Sequence, residues 1–469
     1  MKFPRSPALT AAWLSTISAL AGVTNGAKLL NPPPQQLVSP LIATKLEKIT
    51  LKLSSPPTYP QWTYLSGNGS WEYFPAAKWT SGFFPASLYL MNTRKSELCK
   101  GDNSTGLTDW LSNAQTWMQG LDPVANPDAG LFSVRHDVGF LAFGWIEALR
   151  LNPNNEQAKA AINAYANALA SRFSPIVGCT LSWDPTTAEP QAFRHTTCIL
   201  KCPKLLIVSS KLTGNRTLYD IATSHANKTM VNHIRPNYST YHVVNYDRNT
   251  GAVVWQRTAQ GYADNRLRTR GQAWGMHGYA TMYNYTNDVN YWVTSRRLAE
   301  YYLSRLPESG VPPWDFDAPA VAGRPSDTSS ATIAASAMLM LSRFEQAASN
   351  STGADFWANA AVRLLSSTTT LAWRTESNWD SLLSNGTVNN PADPPNNNTG
   401  IVYGDYYYIR AGNELLSQGL MNCSNGQAPT DSNSGALPGG SSSNGAASLA
   451  LSGLLLILSG LMACLMSST

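Results

Sequence analysis

An all-α fold, built as a helical toroid or a helical bundle, is what the sequence predicts, and three observations carry the prediction. Apolar residues recur at helical spacing in 156–173 (EQAKAAINAYANALASRF), 294–306 (TSRRLAEYYLSRL), 330–348 (SATIAASAMLMLSRFEQAA) and 355–373 (DFWANAAVRLLSSTTTLAW). Gly, Pro and Asn clusters separate these runs. Strand-like alternation is scarce, with STYHVVNY at 239–246 the clearest case. The period alone leaves toroid and bundle open.

Both ends of the chain differ from this helical texture. Residues 1–27 read as an export signal: Lys2 and Arg5 precede an apolar stretch at 11–23, and Asn25-Gly26-Ala27 offers small residues for cleavage. Residues 28–422 form one folded region with no internal linker. Residues 423–447 have the Ser/Gly-rich composition of a flexible stalk. Residues 448–469 are a hydrophobic tail with no Lys or Arg beyond it, and small residues at 443–446 precede it. A glycolipid-anchor signal attached near 443–446 fits this better than a stop-transfer helix. The expected location is therefore the extracellular face of the plasma membrane or the cell wall, with membrane contact only through that anchor.

Composition agrees with an exported protein that handles sugars. Ten Asn-x-Ser/Thr sequons, from Asn68 to Asn422, imply a surface that tolerates glycans. A charged fraction of 13% and a net charge of +5 suggest neither a nucleic-acid partner nor a disordered chain. Fifteen Trp and twenty Tyr supply flat rings for sugar faces, although most such rings serve a core.

Several short motifs place acids or cations among aromatics. HDVGF (136–140) sets Asp137 where it fits either a helix N-cap or an acid. WDFDAP (314–319) and YGDYYYIRA (403–411) repeat the theme, and DTSSATIAAS (327–336) is a helix start with Asp327 as its cap. The segment YADNRLRTRGQAWG (262–275) concentrates arginines beside a flat ring, which suits an anionic, ring-shaped ligand.

Taken in order, KWTSGFFPASLYLM (78–91), HDVGF, LSWD (181–184), GYADNRLRTRGQAWGMHGYA (261–280), VPPWDFDAP (311–319), DTSSATIAASAML (327–339) and YGDYYYIRA resemble the unsaturated glucuronyl hydrolases over about residues 75–412. The resemblance implies an (α/α)6 toroid of six helical hairpins and no metal or organic cofactor. It implies a substrate as well: an oligosaccharide bearing a uronic acid, left by a polysaccharide lyase with a 4,5-unsaturated ring at its non-reducing end. It further implies that His242, Gln260, Arg270 and Trp274 line the substrate site and that Asp137 is one of two working aspartates. Arg270 would meet the ring's carboxylate as a bidentate fork, Trp274 would lie along the ring face, and Gln260 would bond hydroxyls. Core packing for Trp274 and a buried hydrogen-bonded role for His242 remain open on residue type alone. Arg268 stands where the family usually has tryptophan, and with Arg266 it either makes the cleft more basic or points to solvent.

The second aspartate, the main acid/base, has no counterpart. Its position falls on Cys198 in RHTTCILKCPK (194–204), and no Asp or Glu lies between Glu189 and Asp220. A thiol holds a proton at neutral pH but is a poor substitute for a carboxyl acid/base. Slow or absent turnover is therefore expected, and Asp184 and the acids of WDFDAP stand next in line. A silent relative that only binds uronic-acid glycans is the main alternative; altered glycosidase chemistry resting on Asp137 is another. With Cys464 in the anchor signal, five cysteines remain, and Cys179 is expected to pair with Cys198 or Cys202. His195, Cys198 and Cys202 would share a helical face, but three ligands are too few to expect a metal.

The tail reading has a direct test. Phosphatidylinositol-specific phospholipase should release the protein from cells; retention, with the intact tail peptide found by mass spectrometry, would identify a true membrane helix.

Overall fold

Six helices of the structure begin on an Asp or Asn whose side chain accepts a backbone N–H, and five of them are the outer members of helix pairs. The computed structural model describes residues 26–64, 66–187, 192–196 and 201–423. In chain order these form α1 (Pro40–Thr50), β1 (Thr58–Thr63), β2 (Trp71–Pro75), α2 (Phe83–Thr93), α3 (Trp110–Met118), α4 (Val138–Leu141), α5 (Phe143–Leu151) and α6 (Glu156–Ala170). There follow β3 (Phe173–Ser174), β4 (Cys179–Thr180), β5 (Ala192–Thr196), α7 (Lys201–Thr213), α8 (Arg216–His233), β6 (Val243–Asp247) and β7 (Val253–Arg257). The last five are α9 (Thr269–Thr286), α10 (Val289–Ser304), α11 (Thr328–Ala347), α12 (Ser351–Ala372) and α13 (Val402–Ser417).

The helices pair as α2 with α3, α5 with α6, α7 with α8, α9 with α10 and α11 with α12, and α13 packs on both α11 and α2, closing a ring. This is the (α/α)6 toroid. Its inner helices are buried nearly all round: α9 from Thr269 to Met282, α11 from Thr328 to Leu341 and α13 from Val402 to Ile409. Small residues such as Ser329, Ser330, Ala334, Ala335 and Ala337 on α11 let neighbouring helices approach closely. Outer helices bury one stripe and begin on the caps Asp109, Asn155, Asn215, Asp288 and Asn350.

Inner helices α2, α5, α9 and α13 have no side-chain cap. Their first N–H groups remain as partial positive charge where the helix starts. Asp327 does cap α11, accepting from Ser330 N, as its sequence predicts.

The expected runs appear as α6, α10, α11 and α12, shifted by a few residues at most. The strand expected at 239–246 is realised as β6, the middle of a three-stranded antiparallel sheet β5–β6–β7. His195 lies in β5, paired with Val244, so it does not share a helical face with Cys202 on α7. Cys99 and Cys423 form a disulfide across 324 residues, a pairing that the sequence did not suggest because spacing carries no information about it. Cys198 lies outside the described residues, as do 1–25 and 424–469, on which the expectations of an export signal and an anchor signal mostly fall. No described helix is long and apolar enough to cross a membrane.

Asp405, near the start of α13, accepts the backbone N–H groups of Leu382 and Leu383 at 2.8 and 3.1 Å. Burial pushes its pKa up to about 7, against the pull of those two donors and of Lys45. The folded state therefore keeps this proton over a range in which the unfolded chain, titrating at about 3.9, has lost it. Its contribution to stability should be full below about pH 4 and fall away as pH rises through about 7. Thermal melts from pH 4 to 8 should show the gap between wild type and Asp405→Asn narrowing or reversing as pH rises; a constant gap would contradict this.

Candidate active site

Where the inner helices begin, aromatic side chains close the lumen. Trp79 packs on Tyr403 at 4.9 Å and on Phe140 at 5.4 Å, and Phe140 packs on Trp274 at 5.5 Å. Beneath them Trp274 meets Tyr407 at 5.6 Å, and Phe83 touches Phe140, Phe143 and Tyr406. Gly82 permits this closeness, since a Cβ there would run into the Phe140 carbonyl and the Leu141 Cα. His277, one turn below Trp274, is 2% exposed and held well below the usual histidine range, first by burial and then by Arg410 and Lys204. The column is a closely packed aromatic plug in the lumen, with Trp79 its most exposed ring.

Asp137 stands at the edge of this plug, three residues before Phe140. It occupies the N-cap position of α4 but makes no side-chain cap hydrogen bond. Its side chain is 19% exposed and lies 3.7 Å from His136 Nε2. The His136 ring meets Trp183 edge-on at 5.3 Å. Immediately before it, Arg135 has φ 61° and ψ −124°, a left-handed conformation that a side chain adopts only when its surroundings hold it there. The Arg135 side chain meets Asp184, which takes its Nε at 2.7 Å and Arg172 Nη2 at 2.9 Å in a half-exposed cluster. Burial would raise the Asp184 pKa, but the two arginines outweigh it and hold the carboxyl below its usual range. Asp184 is thus a fixed anion that shapes the loop, and it does not suit proton donation.

The arginines of the 262–275 motif divide. Arg266 is exposed and Arg268 is 2% exposed. Arg268 donates to the carbonyls of Gln260 and Val388, both at 2.8 Å. Burial, then repulsion by Arg270, lowers its pKa to about 9. Arg268 is therefore a strut beneath the site wall. Arg270 is 5% exposed, pairs with Asp327 at 2.7 Å and donates to the Thr387 and Val388 carbonyls. Its guanidinium carbon also sits 5.3 Å from the centre of the Tyr403 ring. The fork assigned from sequence to a substrate carboxylate is engaged by an internal carboxylate.

His242 and Gln260 form the third side. His242 Nδ1 accepts the Ala259 N–H at 3.2 Å, which leaves the ring's proton on Nε2 in the neutral form. Gln260, next in the chain, is held through its carbonyl by Arg268. The adjoining Gly261-Tyr262 turn is fastened by Asp315, which is 0% exposed and accepts Tyr262 N at 2.9 Å. Asp317 pairs with Arg305 and accepts Leu267 N. Both acids of WDFDAP therefore hold loops.

The structure thus connects Asp137 to Trp274 through Phe140, and His242 and Gln260 to Arg270 through Arg268 and the shared carbonyls of 387–388. Cys198 lies outside the described residues. Sequence reasoning missed His136, Trp183, Trp79 and Tyr403 as site-forming residues. All four sit in motifs that it quoted, but spacing does not tell which face a ring presents.

No family model matches the chain. An unsaturated glucuronyl hydrolase of Formosa agariphila is 33% identical over 340 residues, covering 72% of this chain and 80% of that protein. The crystal structure of the unsaturated glucuronyl hydrolase of Bacillus sp. GL1, responsible for degradation of glycosaminoglycan, superposes with a TM-score of 0.70 at 22% identity, covering 81% of this chain and 96% of that one. A Streptococcus agalactiae unsaturated glucuronyl hydrolase mutant, complexed with dGlcA-GalNAc6S, gives 0.62 at 21% identity, covering 84% and 98%. Toroid and site together define a glycoside hydrolase scaffold of six helical hairpins. Within that class, the chain belongs to the unsaturated glucuronyl hydrolase family.

Arg270→Lys replaces a planar fork that reaches Asp327, Thr387 and Val388 with a single point charge. The variant should lose about 1–3 kcal/mol of stability and bind an unsaturated uronide more weakly. A lowered melting temperature with equal affinity by calorimetry would confine Arg270 to a structural role.

Proposed function

We propose that the protein removes the 4,5-unsaturated uronic acid from the non-reducing end of lyase-generated oligosaccharides. The observation that carries this reading is the placement of Asp137. It is a carboxyl that makes no helix-cap bond, beside His136 and three residues before Phe140, whose ring packs on Trp274.

The chemistry is hydration of a vinyl ether. An acid gives a proton to C4, water adds at C5, and the hemiketal so formed opens to release the partner sugar. Trp274 and Trp79 support the flattened ring, and the His242 Nε2–H donates to a hydroxyl or ring substituent, fixed in that tautomer by the Ala259 N–H. Gln260 flanks the same side. The uncapped starts of α9 and α13, with the Arg268 charge beneath, make the pocket favourable for a carboxylate. His136 Nε2 lies 3.7 Å from the Asp137 carboxyl on the same wall. An exported, surface-tethered enzyme of this kind would meet lyase-cut polysaccharide outside the cell.

Turnover is read as loss of absorbance of the unsaturated chromophore when the purified ectodomain meets lyase-generated disaccharides. The natural protein should consume the double bond slowly. Asp137→Asn should lower the rate by about 10²–10⁴-fold, the usual contribution of a general acid. Cys198→Asp should raise it, and adding Asp137→Asn should abolish the gain, with thermal melts confirming that each variant folds. An intact chromophore beside measurable binding would make the protein a glycan receptor; fast turnover indifferent to Asp137→Asn would place the acid elsewhere.

A further inference from the structure

The inner helices begin at the pocket and so end at the opposite end of the toroid, about 30 Å away along the 20-residue α11. Five of the Asn-x-Ser/Thr sequons fall at those far ends. Asn103 lies in the turn after α2, Asn284 in the last turn of α9 and Asn422 in the turn after α13. Asn215 and Asn350 are the caps that separate α7 from α8 and α11 from α12. All five are exposed. The remaining inner helix, α5, runs into Asn152-Pro153-Asn154-Asn155, where no hydroxyl stands two residues after an Asn.

Local geometry leaves these amides open to substitution at nitrogen. A cap works through Oδ1: Asn215 accepts Thr217 N–H and Asn350 accepts Gly353 N–H on that oxygen. Asn284 likewise accepts Arg343 Nη2 at 3.1 Å. Asn350 also donates to Glu345 at 2.8 Å, which takes one of its two amide protons and leaves the other replaceable. The Cys99–Cys423 bridge holds Asn422 beside the end of α2. Three of these turns also leave a large apolar side chain in water. Leu107, Val289 and Phe356 follow Asn103, Asn284 and Asn350 within six residues and are each more than half exposed. Large apolar side chains recurring on one face mark a surface that something covers.

The sequons on the pocket wall are different. Asn385 and Asn397 are half-buried in the loop whose carbonyls hold Arg270. Asn385 accepts the Ser384 hydroxyl, and Asn397 Nδ2 donates to Asn390, both at 2.6 Å. Their sequon threonines, Thr387 and Thr399, are buried. A loop packed this closely has no room to seat a sugar.

We propose that the end of the toroid opposite the pocket carries a collar of N-glycans, at Asn103, Asn215, Asn284, Asn350 and Asn422, and that Asn385 and Asn397 stay bare. The inference rests on the export expected from residues 1–27 and is independent of the hydrolase reading. In the secretory pathway an Asn amide nitrogen attacks C1 of an oligosaccharide carried on a lipid diphosphate. The C1–N bond forms, the C1–O bond to phosphate breaks, the lipid diphosphate departs and the amide loses one proton. The sugars cover the apolar side chains of the turns and close that end to partners, while the pocket end stays open.

The test expresses the full chain in a eukaryotic secretory host. Peptide-N-glycosidase in heavy-oxygen water turns each glycosylated Asn into a labelled Asp, and peptide mass spectrometry reads every sequon. Label at the five far-end positions, with Asn385 and Asn397 unlabelled, supports the collar. An exported protein unlabelled at most of the five, or labelled at Asn385 and Asn397, overturns it. Retention inside the cell with every sequon unlabelled overturns it together with the export reading. Single variants such as Asn215→Gln should each migrate faster on a gel by one glycan. Trimming the folded glycoprotein with an endoglycosidase should raise its binding of a hydrophobic dye; unchanged binding would overturn the covering role.

Discussion

The buried ion pair between Arg270 and Asp327 is the contact on which the site most depends. Two charges this deep persist only when they neutralise each other and their remaining donors find acceptors. Asp327 does so while capping α11, and Arg270 does so while donating to the carbonyls of 387 and 388. One pair thereby ties the start of α9 to the start of α11 and to the loop that leads into α13. Removing one partner from such a pair costs about 3–5 kcal/mol, because the other charge is left buried and alone. Arg268 extends the tie to Gln260. The plug residues Trp274 and Tyr403 inherit their positions from the helices so joined.

The second constraint is the ring itself. Six inner helices leave a lumen, and this chain fills it with Phe83, Phe140, Phe143, Trp274, Tyr406 and Tyr407. A filled lumen makes a shallow pocket instead of a channel, which suits removal of one terminal sugar. The sheet β5–β6–β7 stands outside the helical ring, and it brings His242 to the pocket.

The helical architecture was legible because amphipathic period, caps and breaks are local properties. Asp327 announced its cap correctly. Asp137 shows the limit of the same signal. Its sequence position is that of a cap, yet its carboxyl makes no cap bond. His195 misled in the opposite direction: helical spacing to Cys202 meant nothing once β5 paired with β6. The fate of Arg268 and Arg270 was beyond sequence reasoning, since their partners lie about 60 to 120 residues away. The Cys99–Cys423 bridge was equally remote.

Vinyl-ether hydration at this site requires Asp137 to face the reacting carbon. A crystal structure of the Asp137→Asn variant with an unsaturated uronyl disaccharide measures this directly. The account predicts the unsaturated ring lying over Trp274, its C4–C5 bond within hydrogen-bonding reach of residue 137 and a substituent on His242 Nε2. A ring bound with C4 and C5 turned away from residue 137, or held on the sheet with the pocket vacant, would contradict it.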